Sequence, residues 1–390
     1  MAEILYFENP YKTEFEAKIV AKKELKEGLI GYYLDKTYFF AESGGQLSDK
    51  GYINEFEVIK LIKEENNILH CIRGELNIGD EVKCVIDKDT RLDYSIQHTA
   101  QHLLSAVLED RYNAPTLSFH MSEEYSTIDI KIDKINSDVI YELENICNNI
   151  IFSAVEVKTF WISPDEMDRY KFRKIGKFVD KIRVVQIEGI DISMCAGTHV
   201  KRTNEIGYIK IKFFEKIKGG LIRLYFIAGN RVIRDYFEVN NIINYFRRVL
   251  SSTQKDLTER IDLFLNSRVQ LEKELQKTQK MLIQEKLLHI EKDDKIYIDF
   301  TEGLDKKLLS FYAGEIIKIG KDLVLLYDKF YKILKIQQSN EQKFDIKNYF
   351  DEIKKEKNLK GGGNNITYLL DGIDVTPEEI NLFLKNMVKN

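Results

Sequence analysis

A long segment in the second half of the chain contains no residue that readily breaks a helix. Between Gly229 and Gly303 there is neither glycine nor proline. Because these two residues are the commonest interruptions of a helix, the segment 231–302 predicts a long helix. Such a helix separates the chain into one part before it and one after it, and 390 residues are enough for two or three globular domains.

The same segment carries an apolar heptad repeat. Leu257, Phe264 and Leu271 lie seven residues apart, and a second row contains Leu275 and Leu282. This spacing, with charged flanks, favours a coiled coil or a helical hairpin, and therefore predicts a homodimer through the segment. Since polar residues interrupt both rows, the alternative is a long helix packed on its own globular neighbours.

The remaining segments divide by their patterns into three further domains. Residues 1–90 predict a small N-terminal β-barrel, because short β-branched and aromatic runs alternate with turn signals. Residues 91–230 mix helical and strand periodicities, which is typical of an α+β domain. Residues 303–390 alternate helix and strand and predict a C-terminal α/β domain after the helical spacer. The predicted fold class of the whole chain is α+β.

Composition limits the setting in which this protein works. The chain carries 59 basic and 63 acidic side chains, a net charge of −4, so any nucleic acid must bind to a local basic face. Four cysteines are too few for a disulfide framework, which indicates a reducing compartment. Neither a signal peptide nor a transmembrane run is apparent, and we expect a cytoplasmic protein.

Two histidines predict half of a metal site. His98 and His102 lie four residues apart in a helical pattern, so both imidazoles project from one face about one turn apart. Two ring nitrogens in this arrangement can reach one metal ion. Two histidines on a helix are also often ordinary surface or core residues, so this pair alone leaves both interpretations open.

A second pair completes a donor set suited to zinc. Cys195 and His199 are also four residues apart, with small residues between them that let the chain wrap around an ion. Zinc favours four tetrahedral nitrogen and sulfur ligands, so we predict a Zn²⁺ site formed by His98, His102, Cys195 and His199. Zinc proteases place a glutamate directly after the first histidine, and Thr99 stands there instead, which argues against peptide hydrolysis.

Several motifs resemble the editing module of alanyl-tRNA synthetase and the free-standing alanyl-tRNA editing proteins. Residues 40–51 resemble the family's glycine-rich loop, residues 97–104 its first metal half-site and residues 195–200 its second, with Ala196 in place of a glycine. Residues 360–363 resemble the C-terminal DHHA1 domain of that synthetase. There the sequence departs from the family pattern, because two asparagines follow the glycines where the family has Arg-Pro.

The resemblance implies a trans-editing hydrolase that deacylates mischarged alanine tRNA carrying serine, with glycine as a second candidate. A synthetase pocket built for alanine cannot exclude glycine by size and rejects the added hydroxyl of serine only weakly, so a second site must remove the error. We expect no aminoacylation domain before the barrel. The alternative function is a non-catalytic RNA-binding protein stabilised by zinc.

The resemblance also suggests roles for individual residues. Gln46 is the candidate for positioning water or the ester carbonyl, and Thr127 for reading the serine hydroxyl. Further candidates for substrate binding lie in the matching motifs: Ser43, Gly44, Gly45, His120, Asp129 and Arg223. Ordinary turn, strand or surface positions are the alternatives for these residues. The run of cations and aromatics at 169–177 suits a tRNA backbone, or else a solvated charged face.

Overall fold

The computed structural model describes residues 3–64, 67–175, 181–291, 293–340 and 343–387. The end of the predicted basic run, residues 176 and 177, lies outside them. The chain divides into two compact units, Met1–Asn244 and Tyr245–Asn390, and each is described by itself. The finer division into four domains stays a prediction.

A closed six-stranded barrel forms the beginning of the first unit, as predicted. In β2 the apolar residues alternate with glutamates and lysines, so one side of the strand fills the barrel and the other faces solvent. The barrel order is β2-β3-β7-β6-β5-β8, while β1 pairs with β4 in parallel. The strands are β1 (Glu3–Ile4), β2 (Glu14–Glu24), β3 (Ile30–Leu34), β4 (Lys36–Thr37), β5 (Gly51–Ile53), β6 (Phe56–Glu64), β7 (Asn67–Ile72) and β8 (Glu81–Ile86).

The rest of the first unit is the predicted α+β region. Its elements are α1 (Lys88–Tyr112), β9 (Thr116–Met121), β10 (Ser126–Ile130), α2 (Ser137–Phe152), β11 (Val157–Ile162), β12 (Ile182–Ile187), β13 (Asp191–Met194), β14 (Ile209–Ile217) and β15 (Leu221–Ala228). The next helix is α3 (Asn230–Val249), of which residues 230–244 belong to this unit. One sheet has the order β14-β15-β10-β9 and a second the order β11-β12-β13. The Asp87 side chain accepts a hydrogen bond from the backbone of Thr90 and begins α1, and Asn113 ends it in a left-handed conformation.

The four-stranded sheet has two chemically different faces. Ile128 and Leu224 pair across β10 and β15 and lie in the hydrophobic core with α1 and α2. Their neighbours along the strands, including the pair Asp129 and Arg223, point to the opposite face because side chains alternate along a strand. We call these the inner and the outer face.

The prediction of one continuous helix over 231–302 is wrong, because the structure has two helices in this segment. After α3, a second helix α4 runs over Leu257–Leu288, and β16 (Ile296–Thr301) occupies the end of the segment. Ser251 adopts a left-handed backbone conformation with φ of 47°, and the Ser252 amide donates to the Arg247 carbonyl at 3.0 Å. This is the geometry that commonly ends helices at glycine, formed here by a serine.

The second unit contains the predicted C-terminal α/β arrangement. Its further elements are α5 (Lys306–Lys318), β17 (Leu323–Asp328), β18 (Ile333–Gln338), α6 (Ile346–Glu356), β19 (Lys360–Gly363), β20 (Thr367–Asp371) and α7 (Pro377–Met387). The sheet order is β16-β17-β18-β20-β19, and β16 and β17 are parallel. In neither unit does a described helix combine the length and the apolar character needed to cross a membrane.

Candidate metal centre

The four predicted metal ligands lie together in the first unit. The candidate donor atoms of His98, His102, Cys195 and His199 all lie within 4.8 Å of one another. Cys195 Sγ is 3.4 Å from His98 Nε2 and 3.3 Å from His199 Nε2. Zinc bond lengths of about 2.0–2.3 Å place neighbouring ligand atoms about 3.3–3.6 Å apart. The donor set and its spacing therefore fit a tetrahedral metal ion.

Two separate pieces of chain supply these ligands. The histidines of α1 are one turn apart, and the loop that follows β13 supplies Cys195 and His199. Gly197 in this loop is required by close packing, because a Cβ atom there would lie 2.2 Å from the ring of His98. Ala196 is exposed, which explains why a side chain is tolerated where the related motif has glycine.

Each imidazole is oriented by a hydrogen bond on its Nδ1 side. The Nδ1 atoms lie 2.7 Å from Gln46 Oε1 for His98, 2.8 Å from Asp191 Oδ2 for His102 and 3.1 Å from Thr99 Oγ1 for His199. An amide oxygen and a carboxylate only accept, and the Thr99 hydroxyl already donates to the Ser95 carbonyl. All three rings therefore carry a proton on Nδ1 and turn Nε2 toward the centre, where a metal ion would bind it.

Charged residues behind the ligands complete the centre. Burial opposes ionisation of Asp191, but hydrogen bonds from His102 and Arg173 outweigh it and lower its pKa to about 2. Burial also opposes ionisation of the Cys195 thiol, yet the surrounding imidazoles hold its pKa well below the usual range. The thiolate that a metal needs is thus the favoured form. The buried Arg183 donates to the Cys195 carbonyl at 2.8 Å and steadies the loop.

Gln46 lies behind the metal ligands, with its side chain fully buried. Besides accepting from His98, its Oε1 accepts from the Thr198 backbone amide at 3.0 Å, and its Nε2 donates to the Thr198 hydroxyl at 2.8 Å. The Gln46 side-chain amide is therefore hydrogen-bonded to both half-sites of the metal centre. These contacts orient His98 and bind the glycine-rich loop to the second half-site.

A cavity of about 180 Å³ opens beside the ligands. Ser43 and Gly44 of the glycine-rich loop line it, as do Arg173 and Lys174. Gly45 fits against β9, where a Cβ atom would lie 2.4 Å from the Phe119 carbonyl oxygen. The structure thus brings the predicted glycine-rich loop to the metal centre.

The other predicted substrate residues lie on the outer face of the sheet. Thr127 and Asp129 alternate with the core residues of β10, and His120 and Arg223 are on the neighbouring strands. Arg223 Nε donates to Asp129 Oδ1 at 2.7 Å, and this hydrogen bond lowers the pKa of that carboxyl group. The structure does not bring these four residues to the cavity, because strand alternation turns them away from α1.

Sequence reasoning missed the residues that orient the ligands. Asp191, Thr99 and Arg173 act through hydrogen bonds to ligands or to each other, and of the three only Thr99 lies within a predicted half-site. For Asp191, the short separation from Cys195 was the available signal. It is weak, since carboxylates near cysteines are common.

Two stretches of the first unit are similar to domains of aminoacyl-tRNA synthetases. Residues 182–225, which include Cys195 and His199, match the threonyl and alanyl tRNA synthetase second additional domain. Residues 4–90, which form the barrel, match the class II (A) tRNA synthetases.

Individual relatives show the same similarity to proteins that act in alanyl-tRNA synthesis or editing. The chain is 29% identical to the alanyl-tRNA editing protein AlaX-L of Pyrococcus horikoshii, over 97% of this chain and 96% of that protein. It is 28% identical to the alanine–tRNA ligase of Methanopyrus kandleri and 30% identical to that of Methanococcus vannielii. The alignments span 37% and 38% of those two ligases, respectively. These matches confirm the predicted resemblance to the alanyl-tRNA editing proteins.

Proposed function

We propose that this protein is a trans-editing hydrolase that deacylates mischarged alanine tRNA. The observation that carries the proposal is the four-ligand cluster beside an open cavity, in a chain similar to an alanyl-tRNA editing protein along nearly its whole length. The substrates we propose are alanine tRNA carrying serine and, second, glycine. Both are amino acids that a pocket for alanine rejects poorly.

The resident metal we propose is Zn²⁺, held by His98, His102, Cys195 and His199. When bound, zinc supplies Lewis-acid and orienting chemistry at the ester. The chain itself contributes a rigid pocket, because Gln46, Asp191 and Thr99 hold the three imidazoles in place. An aminoacyl ester is already activated, so positioning of the ester and of water accounts for much of the catalysis.

We propose that local cations hold the acceptor end of the tRNA. Arg173 and Lys174 line the cavity, and Lys171 is exposed nearby in the chain. Because the net charge of the protein is −4, attraction of the tRNA phosphates depends on local clusters of this kind. An enzyme acting on tRNA works where translation takes place, and four free cysteines fit the reducing cytoplasm.

Deacylation of a matched set of tRNAs tests the proposed function. Zinc-loaded protein is expected to hydrolyse the ester of alanine tRNA charged with serine, and of the same tRNA charged with glycine, much faster than that of correctly charged alanine tRNA. The release of labelled amino acid measures all three rates. If all three esters stay intact, the proposed function is wrong and the alternative, a non-catalytic zinc-stabilised RNA-binding protein, is favoured. Rapid loss of alanine would instead contradict an editing role.

We propose that α4 pairs with α4 of a second copy of the chain. Four of its five heptad side chains are exposed, with 58% to 64% of the surface accessible at Phe264, Leu271, Leu275 and Leu282. Within α4, all of which is described, Ile283 is the one buried residue. An apolar stripe with a seven-residue repeat fits the same stripe on another copy, which would bury both.

Replacing Leu271 with glutamate is expected to convert this dimer to a monomer at micromolar concentration. The change places a charge in the centre of the apolar stripe, where the paired helices would have to bury it. Light scattering measures the mass. Lys273→Glu is the matched control, because Lys273 lies on the far side of the helix from the stripe and should leave the dimer intact. A monomeric unmodified protein would contradict the proposal.

A further inference from the structure

Two polar side chains line the cavity next to the metal ligands without being part of the ligand set. Gln101 lies on α1 directly before His102, and Thr116 begins β9. Both form hydrogen bonds to Ser105, which is fully buried behind them. Gln101 Nε2 donates to Ser105 Oγ at 2.8 Å, and Thr116 Oγ1 donates to the same oxygen at 2.7 Å.

These two hydrogen bonds determine which donors and acceptors of Gln101 and Thr116 remain available to a ligand in the cavity. Thr116 has used its only proton on Ser105, so its oxygen has acceptor capacity left. Gln101 has used one of its two amide protons, so it retains one donor and its carbonyl oxygen. The structure gives Gln101 and Thr116 no other side-chain partner among the residues it describes. The wall therefore presents an acceptor and a donor beside each other.

We propose that Thr116 and Gln101 recognise the side-chain hydroxyl of a serine esterified to the tRNA. The inference rests on the proposed function and names the specificity residues of that site. A serine hydroxyl both donates and accepts, so it can donate to Thr116 Oγ1 while accepting from the Gln101 amide. The methyl group of alanine can do neither and displaces water from both polar groups, whereas glycine leaves room for water to pair with them.

This arrangement also explains how correctly charged tRNA is spared. A site built to hydrogen-bond a hydroxyl discriminates strongly against an analogue that puts an apolar group in its place, more strongly than an apolar pocket discriminates by size. Thr127, the predicted hydroxyl reader, lies on the outer face of the sheet, whereas Thr116 lines the same cavity as His98 and His102. The serine hydroxyl is thereby bound next to the metal ligands.

The test compares kcat/KM for alanine tRNA charged with serine and with glycine. Thr116→Val keeps the shape of the side chain and removes its oxygen. We expect it to lower kcat/KM for serine about 10- to 100-fold and to change the value for glycine by less than about threefold. Thr116→Ser retains the hydroxyl and should preserve the serine-to-glycine ratio. Gln101→Leu, which keeps the approximate volume, should also lower the ratio.

A binding measurement separates recognition from catalysis. Affinities of zinc-loaded protein for non-hydrolysable seryl and glycyl amides of adenosine, measured by calorimetry, should show the same selective loss in Thr116→Val. Equal losses for serine and glycine, or a selective loss in Thr127→Val instead, would overturn the assignment. If the unmodified protein hydrolyses neither ester, the proposed function fails. If it hydrolyses both and Thr116→Val leaves their ratio unchanged, only the present inference fails.

Discussion

Replacing His102 with alanine is expected to remove most of the bound zinc and to reduce deacylation of serine-charged alanine tRNA more than about 100-fold. Loss of a hydrogen-bond partner of a ligand typically costs 10- to 100-fold in metal affinity or activity, and loss of a ligand itself should cost more. The variant also leaves the buried Asp191 carboxylate without its histidine partner. Both effects weaken the centre in the same direction.

Metal analysis of the purified protein and a chelator competition measure this change directly. His289→Ala is the matched control, because His289 is a solvent-exposed histidine of the second unit and lies outside the metal cluster. It should leave zinc content and activity unchanged. Unaltered zinc stoichiometry in His102→Ala would exclude His102 as a ligand and with it the proposed donor set.

Replacing Gln46 with alanine is expected to weaken zinc binding about 10- to 100-fold, with a parallel loss of activity at limiting zinc. The physical reason is that Gln46 accepts from His98 Nδ1 and also ties the glycine-rich loop to Thr198. If Gln46 instead positions water, as its motif suggested, zinc affinity stays constant and kcat falls at saturating zinc. Titration with a zinc chelator, followed by kinetics at high zinc, separates the two roles.

Gln97→Ala serves as the control for the Gln46 variant. Gln97 is likewise a fully buried glutamine, but it exchanges hydrogen bonds with the Ala228 backbone. Its loss should lower thermal stability while zinc affinity stays the same. A drop in zinc affinity as large as that of Gln46→Ala would indicate a general loosening of the domain and contradict a specific role for Gln46.

The fold was predictable where one periodicity dominates a segment. Short β-branched and aromatic runs between turn signals predicted a barrel over residues 1–90, and a closed six-stranded barrel formed there. The mixed periodicities of residues 91–230 predicted an α+β domain, and α1, α2 and two sheets form there. Prediction from local patterns succeeds in such segments because the spacing of the apolar residues within each element identifies its buried side.

The long helix failed as a prediction because the absence of glycine and proline does not exclude a helix end. Ser251 adopts the left-handed conformation, and the Thr253 hydroxyl donates to Asp256 in the turn that precedes α4. Both residues are acceptable inside a helix, so their effect depends on what surrounds them. A break of this kind has only a weak local signature.

The sequence by itself singled out the four candidate metal ligands, since two pairs spaced by four residues leave few alternative pairings among so few histidines and cysteines. Only the tertiary structure decided which residues surround them. Gln46 reaches His98 and Asp191 reaches His102 across 52 and 89 residues of chain, respectively. Strand alternation turned Thr127 away from the cavity, and a register shift between β9 and β10 paired Thr116 with Ile130 and left it in the cavity. Ligand spacing is a local property of the chain, whereas hydrogen bonds between distant segments exist only after those segments have packed together.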